Sequence, residues 1–470
     1  MTNCGIRRAV VALALVLLTA PAFASEPFTS ATLDAARGLR DRALTDDTGY
    51  DIVRSLTTEV GPRLAGSPGD ARAIAWALAK LKELGFQNVH AESVTVPRWV
   101  RGEARVEIVS PWPQSLVACA LGGSVATPQG GVEAEVVPVT TLDELKTLDP
   151  AQVKGRIVFF TNRMSRAGDG SGYGRAVTVR GRAAGEAAKL GAVAVVIRSI
   201  GTDHDRLPHT GAMRFEAGDA RIPALALANP DADMLERQLA SGRPVRLRVR
   251  DGSAWADSTR SANVVGEIRG RSRPNEIVVL GAHLDSWDLG TGAIDDGAGV
   301  GIMAGVAHLI GSMRVRPMRT IRVVLFANEE NGGMGARTYQ RDHATEAPRI
   351  VLGMESDLGP YRVTGMATRV PLDRLPVLRV MHSLLEPLGV AFAGNEASGD
   401  ADVGHLREMG IPVVDMQTDA SQYFDYHHTP NDTFDKVDAQ QLRQNVACYA
   451  TIAYLAAEYD GDLGRAPKAK

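Results

Sequence analysis

The chain has 470 residues, 44% of them apolar and 23% charged, which is the composition of a folded globular protein and excludes a disordered or fibrous one. This length exceeds the ~250–300 residues at which one hydrophobic core stops growing, so we expect more than one unit. A net charge of -3 and an aromatic content of 5% provide no general basis for binding nucleic acid or an anionic membrane surface.

Residues 1–24 have the pattern of a signal peptide. Arg7 and Arg8 precede the apolar run 9–20, and residues 22–24 (Ala-Phe-Ala) form a small-x-small cleavage pattern. The run is shorter than the ~20 residues needed to span a bilayer, and an uncleaved anchor is the alternative. We therefore expect an exported protein, periplasmic or secreted, with no membrane association after cleavage.

Cysteine usage is sparse for an exported protein. Cys119 and Cys448 would remain after cleavage and would meet an oxidising compartment. Whether they form a disulfide is left open by the sequence.

The segment 25–116 is expected to begin the larger unit. Leu78, Leu81 and Leu84 have helical spacing within residues 71–84, and Gly85 stands at the position of a C-terminal cap. Strand-like alternation follows around residues 94–96 and 106–108.

A smaller unit is predicted for residues 117–257. Its expected elements are strands at 156–160, 192–197 and 222–227 and a helix at 182–190. The polar segment 251–261 has the composition of a linker.

From residue 258 to residue 460, apolar runs alternate with helical patterns. Strands are expected at 277–280, 321–326, 350–354 and 411–414, and helices at 299–310, 335–343, 374–388 and 438–457. This alternation is typical of an α/β fold, a mostly parallel sheet with flanking helices. Residues 461–470 are expected to be a flexible tail.

Polar side chains follow these strands, at the edge where parallel sheets bind ligands. His283 and Asp285 follow the first strand, Glu329 and Glu330 the second, and Asp357 the third. Two further polar segments are a glycine-rich loop with Asp295 and Asp296, and the loop 427–432 with His427 and His428. So many carboxylates would repel one another without cations. Zinc suits the mixed histidine and carboxylate set, and two zinc ions would turn it into a site.

Other interpretations of these residues are weaker. The remaining histidines are expected to be structural or solvated: His90, His204, His209, His308, His343, His382 and His405. Gly297, Gly299 and Gly301 do not have the spacing of a dinucleotide loop, and Asp295 and Asp296 would repel phosphates. A Gly-x-Ser-x-Gly elbow is absent, so a serine hydrolase of that type has no nucleophile.

Taken together and in order, five motifs resemble the M28 family of co-catalytic zinc peptidases, and within it the plasma glutamate carboxypeptidase (carboxypeptidase Q) group. They are GPRLAGSPG at 61–69, GAHLDSWDLGTGAIDDGAG at 281–299, ANEENGGMGA at 327–336, MESDLG at 354–359 and HHTPNDT at 427–433. The resemblance implies a phosphorylase/hydrolase-like fold. It also implies that the middle unit is an inserted protease-associated domain, with KGRIVFF at 154–160, AAKLGAVAVVI at 187–197 and IPALAL at 222–227.

The resemblance also implies a role for each residue of the set. One zinc ion would be held by His283 and Asp357 and the other by Glu330 and His428, with Asp295 bridging both. Glu329 would be the general base acting on a metal-bound water, and Asp285 would orient His283. The peptide between Asp295 and Asp296 would be strained and is a candidate cis bond, and His427, Tyr423 and Tyr426 are candidates for steadying the oxyanion.

The function implied is that of a di-zinc exopeptidase hydrolysing dipeptides or short peptides, with peptides as partners and a homodimer implied by the resemblance only. The choice between carboxypeptidase, dipeptidase and aminopeptidase stays open. A glutaminyl cyclase-like enzyme with a single zinc and a non-catalytic binding protein on the same scaffold are the further alternatives. The complete ligand set favours two metals over either.

Overall fold

The fold is seen in a computed structural model, which describes residue 1 and residues 26–216 and 218–468. The predicted signal peptide, apart from Met1, lies outside the described residues. The helices are α1 Ser30–Ala43, α2 Thr48–Glu59, α3 Pro68–Glu83, α4 Leu142–Thr147, α5 Pro150–Val153, α6 Ser171–Lys189, α7 Asn229–Leu239, α8 Ala298–Gly311, α9 Met334–Asp342, α10 Leu375–Ser383, α11 Gly404–Glu408, α12 Tyr423–Tyr426 and α13 Ala439–Glu458.

Sixteen strands are present in the described residues, and they form two sheets. They are β1 Gln87–Val100, β2 Ala104–Ser110, β3 Gln114–Leu116, β4 Ala118–Ala120, β5 Val132–Val139, β6 Ile157–Phe160, β7 Ala194–Arg198, β8 Ala224–Leu227, β9 Arg246–Asp251, β10 Ala254–Ile268, β11 Arg273–His283, β12 Arg319–Phe326, β13 Ile350–Glu355, β14 Val363–Arg369, β15 Ala391–Phe392 and β16 Val413–Thr418.

The first sheet has the order β1-β10-β12-β11-β13-β16-β14-β15. Its centre is parallel, because β11 pairs in parallel with both β12 and β13, and β13 pairs in parallel with β16. Both faces are covered. Val278 and Leu280 of β11 belong to the core that includes α8 and α13, and Ile277 and Val279 belong to the core that includes α9 and α11. The chain therefore has the mixed α/β architecture expected from its alternating pattern.

The second sheet, of order β3-β2-β9-β5-β6-β7-β8-β4, is built entirely from residues 104–251. Strands β5 to β8 are parallel, and an interior core lies against them, with Phe159, Val196 and Leu225 among its members. The sheet begins at β2, so it starts earlier in the chain than the expected boundary at residue 117.

The expected linker at 251–261 is instead the first half of a strand. From Ala254, β10 pairs antiparallel with β1 over its whole length, with Trp99 opposite Trp255 and Val94 opposite Ser261. Most side chains in this half of β10 are exposed or half-buried. The polar composition of this segment therefore reflects the solvent exposure of a regular strand.

Helix α8 is buried on all sides, which explains its continuous apolar sequence. Among the described residues, Ala293–Gly311 is the one helical stretch long and apolar enough to cross a membrane, and nearly all of it is buried inside the protein. It is the central core helix behind the first sheet, in contact with α2 and α13.

The C-terminal segment also differs from expectation. Leu463 and Ala466 are buried, and the N–H of Ala466 donates to the carbonyl of Gly410. The tail is therefore packed over 463–466 because two apolar side chains are covered there. Within the described part of the chain, Cys119 in β4 and Cys448 in α13 are buried and free.

Candidate metal centre

The carboxyl ends of three neighbouring parallel strands bring the predicted ligands together. His283 is the last residue of β11, Glu330 follows the end of β12, and Asp357 follows the end of β13. Because these strands run side by side in the same direction, the residues after them emerge at one edge. The loop that leads into α8 adds Asp295, and the segment after α12 adds His428.

Asp295 lies at the centre of this cluster. Its Oδ1 is 3.1 Å from Nε2 of His283, and that nitrogen is 3.2 Å from Oδ1 of Asp357. Its Oδ2 is 3.2 Å from Nε2 of His428, and that nitrogen is 3.0 Å from Oε2 of Glu330. One carboxylate therefore lies between a His283–Asp357 group and a His428–Glu330 group.

Both imidazoles present Nε2 to the cluster in a form that fits a cation. Nδ1 of His283 is 3.0 Å from the carbonyl oxygen of Asp285, and Nδ1 of His428 is 3.2 Å from that of Thr210. A carbonyl only accepts, so each Nδ1 carries the hydrogen in these bonds, and Nε2 of a neutral ring directs its lone pair at carboxylate oxygens. Histidines that bind metals are usually held in this way.

The spacing of the donor atoms also fits. A tetrahedral zinc ion with bonds of ~2.0–2.1 Å holds its ligand atoms ~3.3 Å apart. The two imidazole nitrogens lie 3.1 and 3.2 Å from the Asp295 oxygens, and 3.2 and 3.0 Å from the oxygens of Asp357 and Glu330. In addition, Oδ2 of Asp295 is buried and has no hydrogen-bond partner among the described residues.

The pKa values of the carboxyl groups reflect their crowding. Burial raises the pKa of Glu330 well above its ordinary value, and the negative charge of Asp295 adds to the effect. Burial also raises the pKa of Asp357. For Asp295 burial acts in the same direction, but without a cation the hydrogen bond with His283 and the interaction with His428 outweigh it and hold the pKa well below its usual range. Bound cations would favour the charged form of all three.

Glu329 lies beside the cluster and belongs to neither group of potential ligands. Burial raises its pKa to about 8, with Asp357 and Glu330 contributing in the same direction. Its backbone N–H donates to Oδ1 of Asp285 over 3.1 Å. A carboxyl group with a pKa near neutral pH therefore lies beside the potential ligands.

Asp285 acts on His283 differently from the expectation. Its carboxylate oxygen is 3.8 Å from Nδ1 of His283, which is too long for a hydrogen bond. The main-chain carbonyl of Asp285 orients the ring instead, and the carboxylate holds the backbone of Glu329.

Asp296 and His427 also lie close enough to be considered as ligands. By distance alone, potential ligand atoms of Asp295, His427 and His428 lie close together, and so do those of His283, Asp296 and Asp357. Asp296, however, accepts backbone N–H groups on both oxygens, from His283 over 3.1 Å and from Gly299 over 2.8 Å. The Asp295–Asp296 peptide bond is cis.

His427 is a packed neighbour of His428. Its ring stacks on that of His428 at a centroid distance of 3.5 Å, and its Nε2 is 3.5 Å from Oδ2 of Asp295. Tyr423 is buried against His427 with ring centroids 5.0 Å apart, whereas Tyr426 is half-buried under the ammonium of Lys436. Burial lowers the pKa of His427 well below its ordinary value, so the ring is neutral.

Of the seven histidines expected to be structural or solvated, none belongs to either group of potential ligands. His209 nevertheless reaches the cluster through the backbone, because its Nδ1 donates to the carbonyl of His427 over 2.7 Å.

Arg63 has a supporting role that sequence reasoning missed. It is fully buried, and its guanidinium donates to the carbonyls of Leu284, Thr291 and Gly292 over 2.5, 2.7 and 2.8 Å. These bonds hold the loop between His283 and Asp295. Its place in the Gly-Pro-Arg motif was a signal, although the motif alone named no partner.

Arg180 was also missed, and it comes from the second sheet's unit. This side chain of α6 is 6% exposed, its Nη2 donates to the hydroxyl of Tyr173 over 2.6 Å, and its Nη1 is 3.5 Å from Nδ1 of His428. Nε has no partner, and no salt bridge to a described residue is formed. No local pattern marks this residue, because its contact with His428 is made only by tertiary folding.

Comparisons with known proteins relate this chain to peptidases. Residues 263–453 match the model of Peptidase family M28. Carboxypeptidase Q of Mus musculus is 34% identical over 416 residues, covering 88% of this chain and 87% of that protein.

Solved structures have the same fold. A peptidase M28 precursor from Shewanella amazonensis SB2B superposes with a TM-score of 0.92 and 47% identity, over 93% of this chain and 99% of that one. A zinc aminopeptidase from Bacillus subtilis has a TM-score of 0.63 at 19% identity, over 90% of this chain and 98% of that one, which is a likeness of fold alone.

Proposed function

The chain belongs to peptidase family M28, and from that premise we propose that it is an exopeptidase that hydrolyses dipeptides or short peptides at a centre for two zinc ions. The observation that carries the proposal is the position of the Asp295 carboxylate between the His283–Asp357 group and the His428–Glu330 group. Each group would hold one ion, and Asp295 would be a ligand shared by the two.

When bound, the two ions would lower the pKa of a water molecule and polarise the peptide carbonyl. The remaining chemistry is a proton transfer, which we assign to Glu329. Its carboxylate would accept a proton from the attacking water and then deliver it to the leaving amine. The backbone contact with Asp285 keeps Glu329 at the rim of the cluster.

Metal content tests the proposed centre. The protein should contain two zinc ions per chain, lose peptidase activity in a chelator and recover it on addition of zinc or cobalt. Asp295→Ala should retain fewer than two ions, because each group loses a shared ligand. Elemental analysis of the wild type and of Asp295→Ala measures the zinc content of each. Two tightly bound ions in the variant would contradict the bridging role of Asp295.

Arg180 favours substrates with a free carboxylate. A buried guanidinium without an anionic partner is costly, and a peptide C-terminus is an anion of suitable chemistry. Arg180 lies on α6, so the unit of residues 104–251 would cover the centre and supply part of the substrate site. We propose that this unit is the protease-associated domain and that it limits substrates to short peptides.

Blocked dipeptides test this preference. A dipeptide with a C-terminal amide should be cleaved with a kcat/KM at least tenfold lower than the free dipeptide, and Arg180→Gln should remove most of that difference. An N-terminally acetylated dipeptide serves as the matched comparison. A larger loss from acetylation than from amidation would instead favour the aminopeptidase alternative.

A further inference from the structure

The unit of residues 104–251 contacts the last candidate ligand through its backbone. Thr210 lies between β7 and β8 of the second sheet. Its carbonyl oxygen is 3.2 Å from Nδ1 of His428, and its N–H donates to the carbonyl of His428 over 3.0 Å. The two residues therefore hold each other through both a side chain and the main chain.

The neighbouring residue His209 anchors this contact. Its ring is 1% exposed, with Nδ1 2.7 Å from the carbonyl oxygen of His427 and Nε2 2.6 Å from Oδ1 of Asp203. A carbonyl oxygen only accepts, so Nδ1 donates to His427, and Nε2 is hydrogen-bonded to the Asp203 carboxyl group. The backbone N–H of His209 also donates to the hydroxyl of Ser199 over 2.8 Å.

The surroundings leave the ring no alternative position. A Cβ on Gly201 would lie 2.2 Å from ring atoms of His209. Asp203 is fixed as well, because its Oδ2 accepts the N–H of Asp205 over 3.0 Å. The Asp203–His209 pair is therefore closely packed within the second sheet's unit, and it is hydrogen-bonded to the segment that carries His427 and His428.

We infer that the Asp203–His209 pair and the Thr210 carbonyl are positioning groups for His428, so the unit of residues 104–251 completes one of the two metal sites. The inference rests on the proposed di-zinc centre. His283 differs because its orienting carbonyl, that of Asp285, lies in its own loop. Disturbing His209 should consequently affect the His428–Glu330 site and spare the His283–Asp357 site.

The expected size of the effect follows from metal sites in general. Removing a group that orients a ligating histidine typically weakens metal affinity by about 10- to 100-fold. We expect that loss for one ion in His209→Gln and, because the His209 ring stays in place, a smaller loss for the same ion in Asp203→Asn.

The experiment is a zinc titration of chelated full-length protein against a chromophoric competitor, which reports the number of ions and each affinity. Wild type should bind two ions, and His209→Gln should bind one as wild type does and the other about 10- to 100-fold more weakly. His204→Gln is the matched control, because the His204 side chain is 76% exposed.

The outcomes separate this inference from the proposed function. Fewer than two ions in wild type would refute the di-zinc centre itself. Two ions in wild type with unchanged affinities in His209→Gln, or equal losses at both sites, would overturn the positioning role. If His209→Gln does not fold by circular dichroism, Asp203→Asn decides by the same titration.

Discussion

Single residues far apart in the chain fix the position of Asp295. Oδ1 of Asp432 accepts the N–H groups of Ala293 and Ile294, each over 2.7 Å, and its own carbonyl accepts the N–H of Thr291 over 2.8 Å. Arg63 holds the other end of the same loop. The bridging carboxylate therefore depends on residues that do not touch a ligand atom.

Glu329→Gln tests the proposed base at this scale. The amide cannot carry a proton from water to the leaving amine, so kcat should fall about 10²- to 10⁴-fold. Zinc content should stay at the wild-type value because Glu329 is part of neither the His283–Asp357 group nor the His428–Glu330 group. Steady-state kinetics with elemental analysis measure both, and Glu396→Gln is the control because its side chain is 90% exposed. An active Gln variant would exclude this assignment.

Three of the five proposed ligands could be proposed from the sequence because they lie at or just after the end of a recognisable strand. His283, Glu330 and Asp357 come directly after apolar runs, and parallel strands bring such residues to one edge. The supporting residues could not be proposed in this way. Arg180 and Thr210 reach His428, and His209 reaches His427, only because the second sheet's unit folds against this segment.

At the scale of elements, glycines of α8 allow a close helix crossing. A Cβ on Gly301 would lie 2.5 Å from the carbonyl oxygen of Gly49 and 2.6 Å from Cγ2 of Val53, both in α2. A Cβ on Gly299 would lie 2.1 Å from the carbonyl oxygen of Ser356. The glycines after Asp296 thus allow close packing of α8, which gives them a structural role without a dinucleotide loop.

Gly301→Ala should destabilise the protein by about 1–3 kcal/mol, because α2 and α8 would have to separate. Gly38→Ala is the same substitution in α1, where a Cβ meets nothing within 4 Å. That control should gain about 0.5–1 kcal/mol through helix propensity. Urea unfolding measures both. Equal effects of the two substitutions would show that the crossing is not tightly packed.

The first half of β10 illustrates what an element's own sequence does not reveal. Residues 254–261 lack an apolar alternation because this part of β10 faces solvent. Its strand conformation comes from pairing with β1, more than a hundred residues earlier, and strand preference depends strongly on such partners.

For the whole molecule, the crowded carboxyl groups make stability depend on pH when metal is absent. The pKa is raised by burial to about 8 for Glu329 and to about 7 for Asp432. An acid whose pKa is higher in the folded state favours folding at low pH, and this contribution is lost as pH rises through the folded pKa.

The chelated protein should therefore lose free energy of unfolding between about pH 6.5 and 8, at up to about 1.4 kcal/mol per pH unit from Glu329, with a further contribution from Asp432 that ends near pH 7. The pKa of His427 is lowered from its ordinary value of 6.5, so below pH 6.5 this residue makes the free energy of unfolding increase with pH. The range for the measurement therefore begins at about pH 6.5. Urea unfolding at several pH values measures the slope. Saturating zinc should reduce this dependence on pH. A free energy of unfolding that increases with pH in this range would contradict the raised pKa values.

The sequence by itself determined the α/β class, the positions of the central strands along the chain and the polar residues that follow them, because hydrophobic periodicity and strand ends are local properties. Only the tertiary structure decided that β10 extends from Ala254, that α8 crosses α2 at glycines, and that residues 104–251 press on His427 and His428. These features depend on contacts between segments distant in the chain, and no local pattern encodes which distant surface a side chain will meet.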